Sequence, residues 1–446
     1  MGSIERPLDP GVPTPLQSAG SQTTVPPTGA VVARAVLAGG VGNMLEWYDF
    51  GVYGFLAVQI SAVFFPGQAA ALLLTFATFG VGFLMRPVGA IVFGHYGDRL
   101  GRRRMLILTV GLMGGATFLM GVLPGYSAIG IWAPLILVVL RLAQGFSGGG
   151  EYAGVNAFLI EYAPSTRRGF ITSFQQFSIV LSLVLGAVFA YLLSTFMSHG
   201  ALFSWGWRLP FLVGILPALV GIYLRLRVAE SPAFTALEVK HEVARTPLLD
   251  LFVSHWPNIL RAAGFTVVWT VAFYIFLSYL PTYLITYAKF SPSFAFLVTV
   301  VELVFLAALV PVFGRLSDTV GRKKLLLLSC TLLFVLPYPA FLLLDTRSVA
   351  AVFVVVLALG SSIALFSGAG PAALSELFPA RVRYSGIGIP YNIATAIFGG
   401  FAASIATLLI GATGDRLAPT FYVMAAAIVS FATIATFRES SRDVLS

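Results

Sequence analysis

The feature that most constrains this chain is a series of long segments without any acidic or basic side chain. The three widest hold 36, 36 and 39 residues and lie between Asp49 and Arg86, Arg104 and Arg141, and Arg168 and Arg208. A membrane-spanning helix needs about 20 mostly apolar residues, so each segment is long enough to cross a bilayer. Only 10% of the 446 residues are charged and 58% are hydrophobic. This composition excludes an ordinary soluble enzyme and a disordered protein, because so few charges cannot cover a globule of this size.

We therefore predict an all-α integral membrane protein with twelve transmembrane helices. The predicted spans are 33–62, 69–96, 104–123, 131–160, 169–195, 208–227, 258–286, 293–315, 323–344, 348–376, 384–411 and 417–437. The longest polar stretch between spans, 229–257, divides them six and six. The single cysteine, Cys330, excludes an internal disulfide and a cysteine-based metal cluster.

The predicted domain organisation follows from this division. We expect a flexible cytoplasmic tail at 1–30, an N-terminal six-helix bundle at 31–228, and a cytoplasmic linker at 229–257. A C-terminal six-helix bundle at 258–438 and a short cytoplasmic tail at 439–446 complete the chain. The first 30 residues are rich in Pro, Gly, Ser and Thr and contain no apolar stretch typical of a signal peptide.

The distribution of positive charge predicts the orientation. If both termini are cytoplasmic, 21 of the 27 Lys and Arg residues lie on the cytoplasmic side, 4 lie on the other side and 2 lie within spans. Cytoplasmic loops of membrane proteins carry an excess of basic residues, so this division favours cytoplasmic termini. The basic residues are scattered over several loops, which is a poor groove for a phosphate backbone. We therefore expect no nucleic-acid partner.

Two motifs recur at equivalent span ends. The loop after the second predicted span reads GHYGDRLGRRR at 94–104, and the loop after the eighth reads GRLSDTVGRKK at 314–324. Glu161 opens an EYAP sequence after the fourth span, and Glu376 opens ELFP after the tenth. The repeat indicates two pseudo-symmetric six-helix halves, each forming one wall of a central cavity.

The repeated loop resembles the signature of the major facilitator superfamily. The sequence RLAQG at 141–145 resembles the fourth-helix motif of its proton-coupled members. The segments 42–50, 144–152 and 205–211 are similar to the metabolite:proton symporter family, which includes citrate, α-ketoglutarate and proline/betaine carriers. The resemblance covers roughly residues 33–437.

This resemblance implies secondary active uptake across a bacterial inner membrane by a multi-pass transporter. It implies that the chain is not an enzyme, that the proton is the coupling ion and that no cofactor takes part. We expect a small-molecule substrate, protons and the lipid bilayer as partners, and a functional monomer. The first hypothesis for the substrate is a small organic acid, a di- or tricarboxylate such as citrate or α-ketoglutarate. The alternative is a zwitterion such as proline or betaine, held by aromatic side chains.

Charged side chains inside spans are costly and are usually functional. The candidates for proton coupling are four carboxylates, Glu46, Asp49, Glu151 and Glu302. The alternative for Glu46, Asp49 and Glu151 is a structural ion pair between helices, and the alternative for Glu302, which has no arginine near it in its own span, is a protonated structural residue.

The candidates for substrate binding include two arginines within spans. A buried guanidinium can hold a carboxylate in a bidentate fork, which suits Arg141 and Arg86. Arg141 could instead pair permanently with Glu151 or Asp49. The polar and aromatic side chains that complete this candidate site are Tyr53, Gln144, Tyr152, Tyr274 and Asn392.

The repeated loops supply the candidates for gating. Asp98 and Asp318 each end a span beside basic residues, so each is expected to accept hydrogen bonds from a neighbouring helix N-terminus. Arg102 and Arg322 are their expected ion-pair partners. No pattern of His, Cys, Asp and Glu has metal-ligand spacing, so no metal site is predicted.

Overall fold

The structure is a computed structural model that describes residues 29–67, 71–227, 229–239, 247–439 and 441. Within these residues it is helical throughout, with turns between the helices and no strand. The twelve spans, numbered in chain order, have the following bounds: span 1, Gly29–Phe55 and Ala57–Phe64; span 2, Ala71–Leu100; span 3, Arg102–Val122; span 4, Trp132–Tyr162; span 5, Arg168–Phe196; span 6, Leu209–Val213 and Ile215–Arg227; span 7, Trp256–Ala272, Phe273–Tyr279 and Leu280–Thr286; span 8, Pro292–Val320; span 9, Arg322–Val335 and Pro337–Leu344; span 10, Val349–Glu376; span 11, Arg383–Ala394, Thr395–Gly399 and Ala402–Thr413; span 12, Ala418–Ala435.

Length and composition support the membrane assignment. Ten helical segments of the described residues are long and apolar enough to cross a bilayer, and span 9, bent by 42° before Pro337, makes an eleventh. Span 1, which carries Arg34, Glu46 and Asp49, is not among these segments. The prediction of an all-α, twelve-helix membrane protein is confirmed.

Some regions outside the spans differ from the predicted tails and linker. Span 1 begins at Gly29, two residues inside the stretch predicted as a tail, whereas residues 1–28 lie outside the described part. The segment 229–257 contains two short helices, Pro232–Val239 and Pro247–Ser254, and the start of span 7. Of the predicted C-terminal tail, 440 and 442–446 lie outside the described residues.

Glycines allow spans 2 and 4 to pack with their backbones in close approach. A Cβ atom on Gly89 would overlap the carbonyl of Phe146, and one on Gly145 would overlap the carbonyl of Gly82. Small residues at such positions are a common device for bringing membrane helices together. This packing fixes the side chains that the two spans direct toward span 1.

Spans 5 and 11 carry much of the packing between the two halves. Span 5 of the first half packs against spans 8 and 10, and span 11 of the second half packs against spans 2 and 4. Spans 7 and 11 each contain a π-helical stretch, at Phe273–Tyr279 and Thr395–Gly399. Such stretches are frequent at functional sites, and here the first of them faces the centre of the molecule.

Candidate functional site

One buried ion pair joins span 1 to span 4. The Nη1 atom of Arg141 lies 2.9 Å from Oδ2 of Asp49 and donates to Oε1 of Gln144 at 2.9 Å. The ring centroid of Tyr53 lies 3.6 Å from the guanidinium carbon. Gln144 in turn donates to Thr117 at 3.0 Å. Of the two carboxylates considered as partners of Arg141, the structure therefore pairs it with Asp49.

A second buried ion pair joins span 1 to span 2. The Nη2 atom of Arg86 lies 2.7 Å from Oε1 of Glu46. The guanidinium is surrounded by the rings of Trp47, Phe50 and Phe83, at 5.4, 4.7 and 4.7 Å from its carbon. A Cβ atom at Gly148 would lie 2.8 Å from Oε1 of Glu46, so the carboxylate needs a glycine there. Both predicted substrate arginines are thus neutralised by a carboxylate.

Glu151 belongs to a different group of side chains from Arg141. It forms an ion pair with Arg225 of span 6 and accepts a hydrogen bond from Thr109 at 2.6 Å. Arg225 also donates to the carbonyls of Ala38 and Leu106, so it ties together spans 1, 3, 4 and 6. Sequence reasoning missed Arg225 because it counted this residue among the loop charges at the end of span 6.

Glu302 lies apart from the two ion pairs on span 1. It is buried in span 8, beside Gly360 of span 10. Within the described residues its carboxylate has no hydrogen-bond or ion-pair partner. The structure therefore brings Glu46 and Asp49 together on span 1 and leaves Glu302 in the other half.

A small cavity of about 10 Å³, enough for about one water molecule, lies where the halves meet. Its lining residues are Trp47, Gln176, Ile179, Trp269, Thr270, Phe273, Tyr274 and Tyr391. Three of them carry a buried hydrogen-bonding group that has no partner in the described structure. These groups are Nε1 of Trp47, Oγ1 of Thr270 and the hydroxyl of Tyr274. Buried donors without partners are uncommon in proteins and are therefore candidates for binding a ligand.

Of the seven predicted substrate-binding residues, Tyr274 lines this cavity and the others lie behind it. Tyr152 stacks on Tyr391 with ring centroids 3.5 Å apart. Asn392 donates to the carbonyl of Gly149 at 2.9 Å, which links span 11 to span 4. Arg86 does not line the cavity but packs on the ring of Trp47, which does, and Tyr53, Arg141 and Gln144 form the Asp49 group.

Sequence reasoning missed several lining residues. Gln176, Trp269, Thr270 and Phe273 carry no charge, and the search for functional residues began from charges within spans. The helical spacing of uncharged residues does not distinguish a cavity wall from a packed helix interface. To predict that Trp269 and Phe273 share the cavity wall, one would need to know where the π-helical stretch lies, because it changes which residues share a helix face.

The repeated loops form cross-links between the halves. Asp98 accepts hydrogen bonds from the backbone N–H groups of Tyr384 and Ser385, at 3.1 and 2.9 Å, at the start of span 11. Asp318 accepts from Gly169 and Phe170, at 2.8 and 3.0 Å, at the start of span 5. The sequence analysis expected hydrogen bonds from a neighbouring helix N-terminus, and in the structure each of these helices belongs to the opposite half. We call the face that carries them the basic face.

Ion pairs surround both cross-links. Arg102 and Arg322 lie 3.4 and 3.0 Å from Asp98 and Asp318. Glu161 lies 2.9 Å from Arg383 and 3.3 Å from Arg102, so it too joins the halves. The basic face is closed in this structure by these buried contacts.

Two glutamates that the sequence analysis did not select support this arrangement. Glu230 accepts from the backbone N–H of Arg102 at 3.1 Å, and Glu439 accepts from Arg322 at 3.0 Å. Burial raises the pKa of Glu439, but hydrogen bonds from the backbone of Arg322 and Lys323 and from Ser441 outweigh it and lower the pKa below its ordinary value. Both glutamates begin a Glu-Ser pair after the sixth and the twelfth span, a repeat that could have identified them.

The family profile described as "Sugar (and other) transporter" matches residues 35–254 and 256–441. The proline/betaine transporter of Escherichia coli (strain K12) is 35% identical over 423 residues, which cover 92% of this chain and 84% of that protein. The chain belongs to the major facilitator superfamily, in its proton symporter family.

Two further comparisons complete this assignment. The citrate-proton symporter of Klebsiella pneumoniae is 38% identical over 411 residues, 91% of this chain and 92% of that protein. The solved structure of the proton:xylose symporter XylE bound to 6-bromo-6-deoxy-D-glucose has a TM-score of 0.81 and 17% identity, and covers 93% of this chain and 98% of that chain. The structural likeness supports the fold of this symporter.

Membership in the family confirms several predictions made from the sequence. The symporter is a multi-pass membrane transporter and not an enzyme, it works without a cofactor, and it couples a small-molecule substrate to protons. In the part of the chain that the structure describes, no group of three or more His, Cys, Asp and Glu side chains could hold a metal ion.

Proposed function

We propose that this symporter takes up a zwitterion of the proline or betaine type together with protons. The proposal rests on the charge neutralisation of the two arginines within spans 2 and 4. Each forms a buried ion pair with a carboxylate of span 1, Arg86 with Glu46 and Arg141 with Asp49. A di- or tricarboxylate needs excess positive charge at its site, and neither pair supplies it. A zwitterion has no net charge, so it needs none.

The residues that line the central cavity carry the groups that a zwitterion requires, and the cavity, which has room for about one water molecule in this structure, would widen to admit it. Five aromatic side chains form most of its wall: Trp47, Trp269, Phe273, Tyr274 and Tyr391. Aromatic faces attract a quaternary or secondary ammonium through their π electrons, by about 2 kcal/mol where water is excluded. The N–H of Trp47 and the hydroxyls of Thr270 and Tyr274 are free to donate to the substrate carboxylate. The names of relatives from E. coli and Dickeya dadantii, transporters of proline, betaine and ectoine, support the same class.

An organic acid is the second candidate. It is favoured by the citrate-proton symporter of K. pneumoniae, whose identity of 38% exceeds that of the proline/betaine relatives. An organic acid in this cavity would have to displace Glu46 or Asp49 from its arginine. Proton binding to that carboxylate would release the guanidinium, which makes this candidate chemically sound as well.

Uptake and binding by the purified protein distinguish the candidates. Proteoliposomes with an imposed proton gradient should accumulate labelled glycine betaine or proline, and citrate should not compete. Trp47→Leu should weaken betaine binding by about 2 kcal/mol, roughly 30-fold, through loss of one aromatic face. Trp256→Leu is the matched control, because Trp256 is exposed and far from the cavity. Accumulation of citrate without accumulation of betaine would refute the proposal.

For proton coupling, we propose the two carboxylates of span 1 as the carriers. Protonation of Asp49 or Glu46 would break its ion pair and free an arginine, which changes the helix contacts between spans 1, 2 and 4. Glu302, which has no partner in the described structure, is the next candidate, and Glu151 is tied to Arg225. The test is accumulation against a gradient by the Asn or Gln variant of each carboxylate.

For gating, we propose that Asp98, Arg102, Asp318 and Arg322 stabilise the state in which the basic face is closed.

We further propose that the basic face is cytoplasmic and that both termini lie on that side. We also propose that the membrane is the bacterial inner membrane and that the functional unit is a monomer. Cysteines introduced at Gly125 and Gly67 should then label from outside the cell, and one at Ser165 should not. Labelling in the reverse pattern would contradict the orientation.

A further inference from the structure

The second half contains a cavity that is separate from the proposed substrate site. It has a volume of about 200 Å³ and lies at the basic face, between the ends of spans 7, 9, 10 and 12. Four cationic side chains line it: Arg261, Arg322, Lys323 and Arg438. The one acidic residue in its lining is Glu376, which pairs with Arg322 at 3.4 Å. Leu377 and Phe437 give it an apolar wall.

The corresponding corner of the first half is filled. There Tyr162 is buried and donates its hydroxyl to the carbonyl of Ala229 at 2.8 Å. The buried ring of Phe234, from the short helix Pro232–Val239, lies 5.0 Å from the guanidinium of Arg102. The repeated motif puts Leu377 where the first half has Tyr162. The cavity is therefore a departure from the internal symmetry and is not required by the fold.

Three of the four cations have no carboxylate partner in the described residues. Arg261 donates to Asn258 at 3.1 Å, and the Lys323 ammonium donates only to the carbonyls of Ala435 and Phe437, at 2.6 and 2.8 Å. Arg438 has no side-chain hydrogen bond or ion pair there. Even with Asp318 and Glu439, which flank Arg322, the four cations face only three carboxylates, so positive charge is in excess.

We propose that this cavity binds a phosphate-type anion. Guanidinium groups hold phosphate oxygens in bidentate fashion, and Arg261 and Arg438 are both exposed and available for such contacts. Basic pockets between membrane helices at the polar interface are suited to lipid headgroups, and the apolar wall of Leu377 and Phe437 would accommodate a glycerol backbone. A soluble phosphate offers the same chemistry without that apolar part.

The test is binding to the purified full chain with two probes. Inorganic phosphate is titrated into protein in a neutral detergent at constant ionic strength, and phosphatidylglycerol is titrated into phosphatidylcholine nanodiscs that hold the protein. The double variant Arg261→Gln, Arg438→Gln should lose about tenfold in affinity or more, since each guanidinium makes charge-assisted hydrogen bonds. Arg315→Gln is the matched control, an exposed arginine of the same half outside the cavity.

Each result decides the proposal. Loss of binding in the double variant and retention within twofold in the control supports it. A response to phosphatidylglycerol alone identifies a lipid headgroup as the source, and a response to inorganic phosphate alone identifies a soluble anion. Binding of neither probe to the parent chain overturns the proposal. Equal binding by the double variant, or an equal loss in Arg315→Gln, also overturns it, because the effect would then be general surface charge. Glycine betaine uptake by the double variant reports separately on the proposed transport function.

Discussion

Replacing Asp98 by Asn tests whether the contacts at the basic face control the opening of the symporter. The carboxylate accepts two backbone hydrogen bonds from span 11 and lies 3.4 Å from Arg102. An asparagine has one acceptor oxygen and no charge, so it keeps at most one of the two bonds and loses the ion pair. A hydrogen bond to a charged group contributes about 1.5–3 kcal/mol. Loss of one such bond should shift the equilibrium from closed to open by roughly 10- to 150-fold.

The opening can be measured as a distance between the two halves. Cysteines at Arg99 and Lys324, both exposed and on opposite halves, would carry spin labels in a Cys330→Ala background. The parent should give one narrow distance distribution for the closed basic face, and Asp98→Asn should add a population at longer distance. Transport should fall strongly, whereas ligand affinity should stay within a few-fold, because Asp98 does not line the central cavity.

The control is another Asp→Asn change on the same face. Asp250 lies 2.9 Å from Arg381, but this pair is partly exposed and should contribute at most about 1 kcal/mol. Asp250→Asn should therefore leave the distances unchanged. Asp318→Asn should act like Asp98→Asn, because it makes the equivalent contacts to span 5. If Asp98→Asn gives the same distance distribution as the parent, the hydrogen bonds at this helix start do not hold the basic face closed.

Three further predictions follow from buried or capping carboxylates. Asp49→Asn mimics a protonated carboxyl, so substrate exchange in proteoliposomes should persist while proton-driven accumulation fails; continued accumulation would place the proton site elsewhere. Arg225→Gln leaves Glu151 buried without its cation and should cost about 3–5 kcal/mol of stability, measured as a lower Tm in detergent, and a loss below about 1 kcal/mol would contradict it. Glu439 has a folded-state pKa below its ordinary value of 4.5, so its contribution is present above that pH and is lost as the pH falls through the lowered pKa. Glu439→Gln should accordingly lower the Tm at neutral pH, and the difference from the parent should vanish in acid; a constant difference would count against the cap.

Most spans could be predicted from the sequence because long apolar segments end at charges, which are costly in lipid. Span 3, predicted at 104–123, runs from Arg102 to Val122, and span 10, predicted at 348–376, runs from Val349 to Glu376. The cross-links of Asp98 and Asp318 could also be predicted, because a repeated carboxylate at a span end has few partners other than a helix N-terminus. In both cases a local cause in the sequence decides the structure.

The partners of buried charges could not be predicted in the same way. Glu151 and Arg141 lie on one face of span 4, and the sequence left Glu151 open as a partner of Arg141, yet Glu151 pairs with Arg225 and Arg141 pairs with Asp49. The choice depends on how spans 1, 3 and 6 pack around span 4, a tertiary relation that helix periodicity does not contain. The residues of the cavity wall could not be predicted either, because Trp269 and Thr270 carry no charge that would mark them as functional.

The two halves share the contacts of the basic face but differ in where their other buried charges lie. In the described residues, the three buried ion pairs outside the basic face all lie in the first half, those of Glu46, Asp49 and Glu151. The second half supplies most of the cavity wall. Two rings touch both. The Trp47 ring lies 5.4 Å from the Arg86 guanidinium and 5.4 Å from the ring of Phe273, and the Phe83 ring lies 4.7 Å from that guanidinium and 5.7 Å from the ring of Tyr274. If Glu46 carries the proton, as proposed, release of Arg86 would alter the packing of these two rings against the cavity wall. Symport requires a coupling free energy between the two sites, and these aromatic contacts connect the Glu46–Arg86 pair to the cavity.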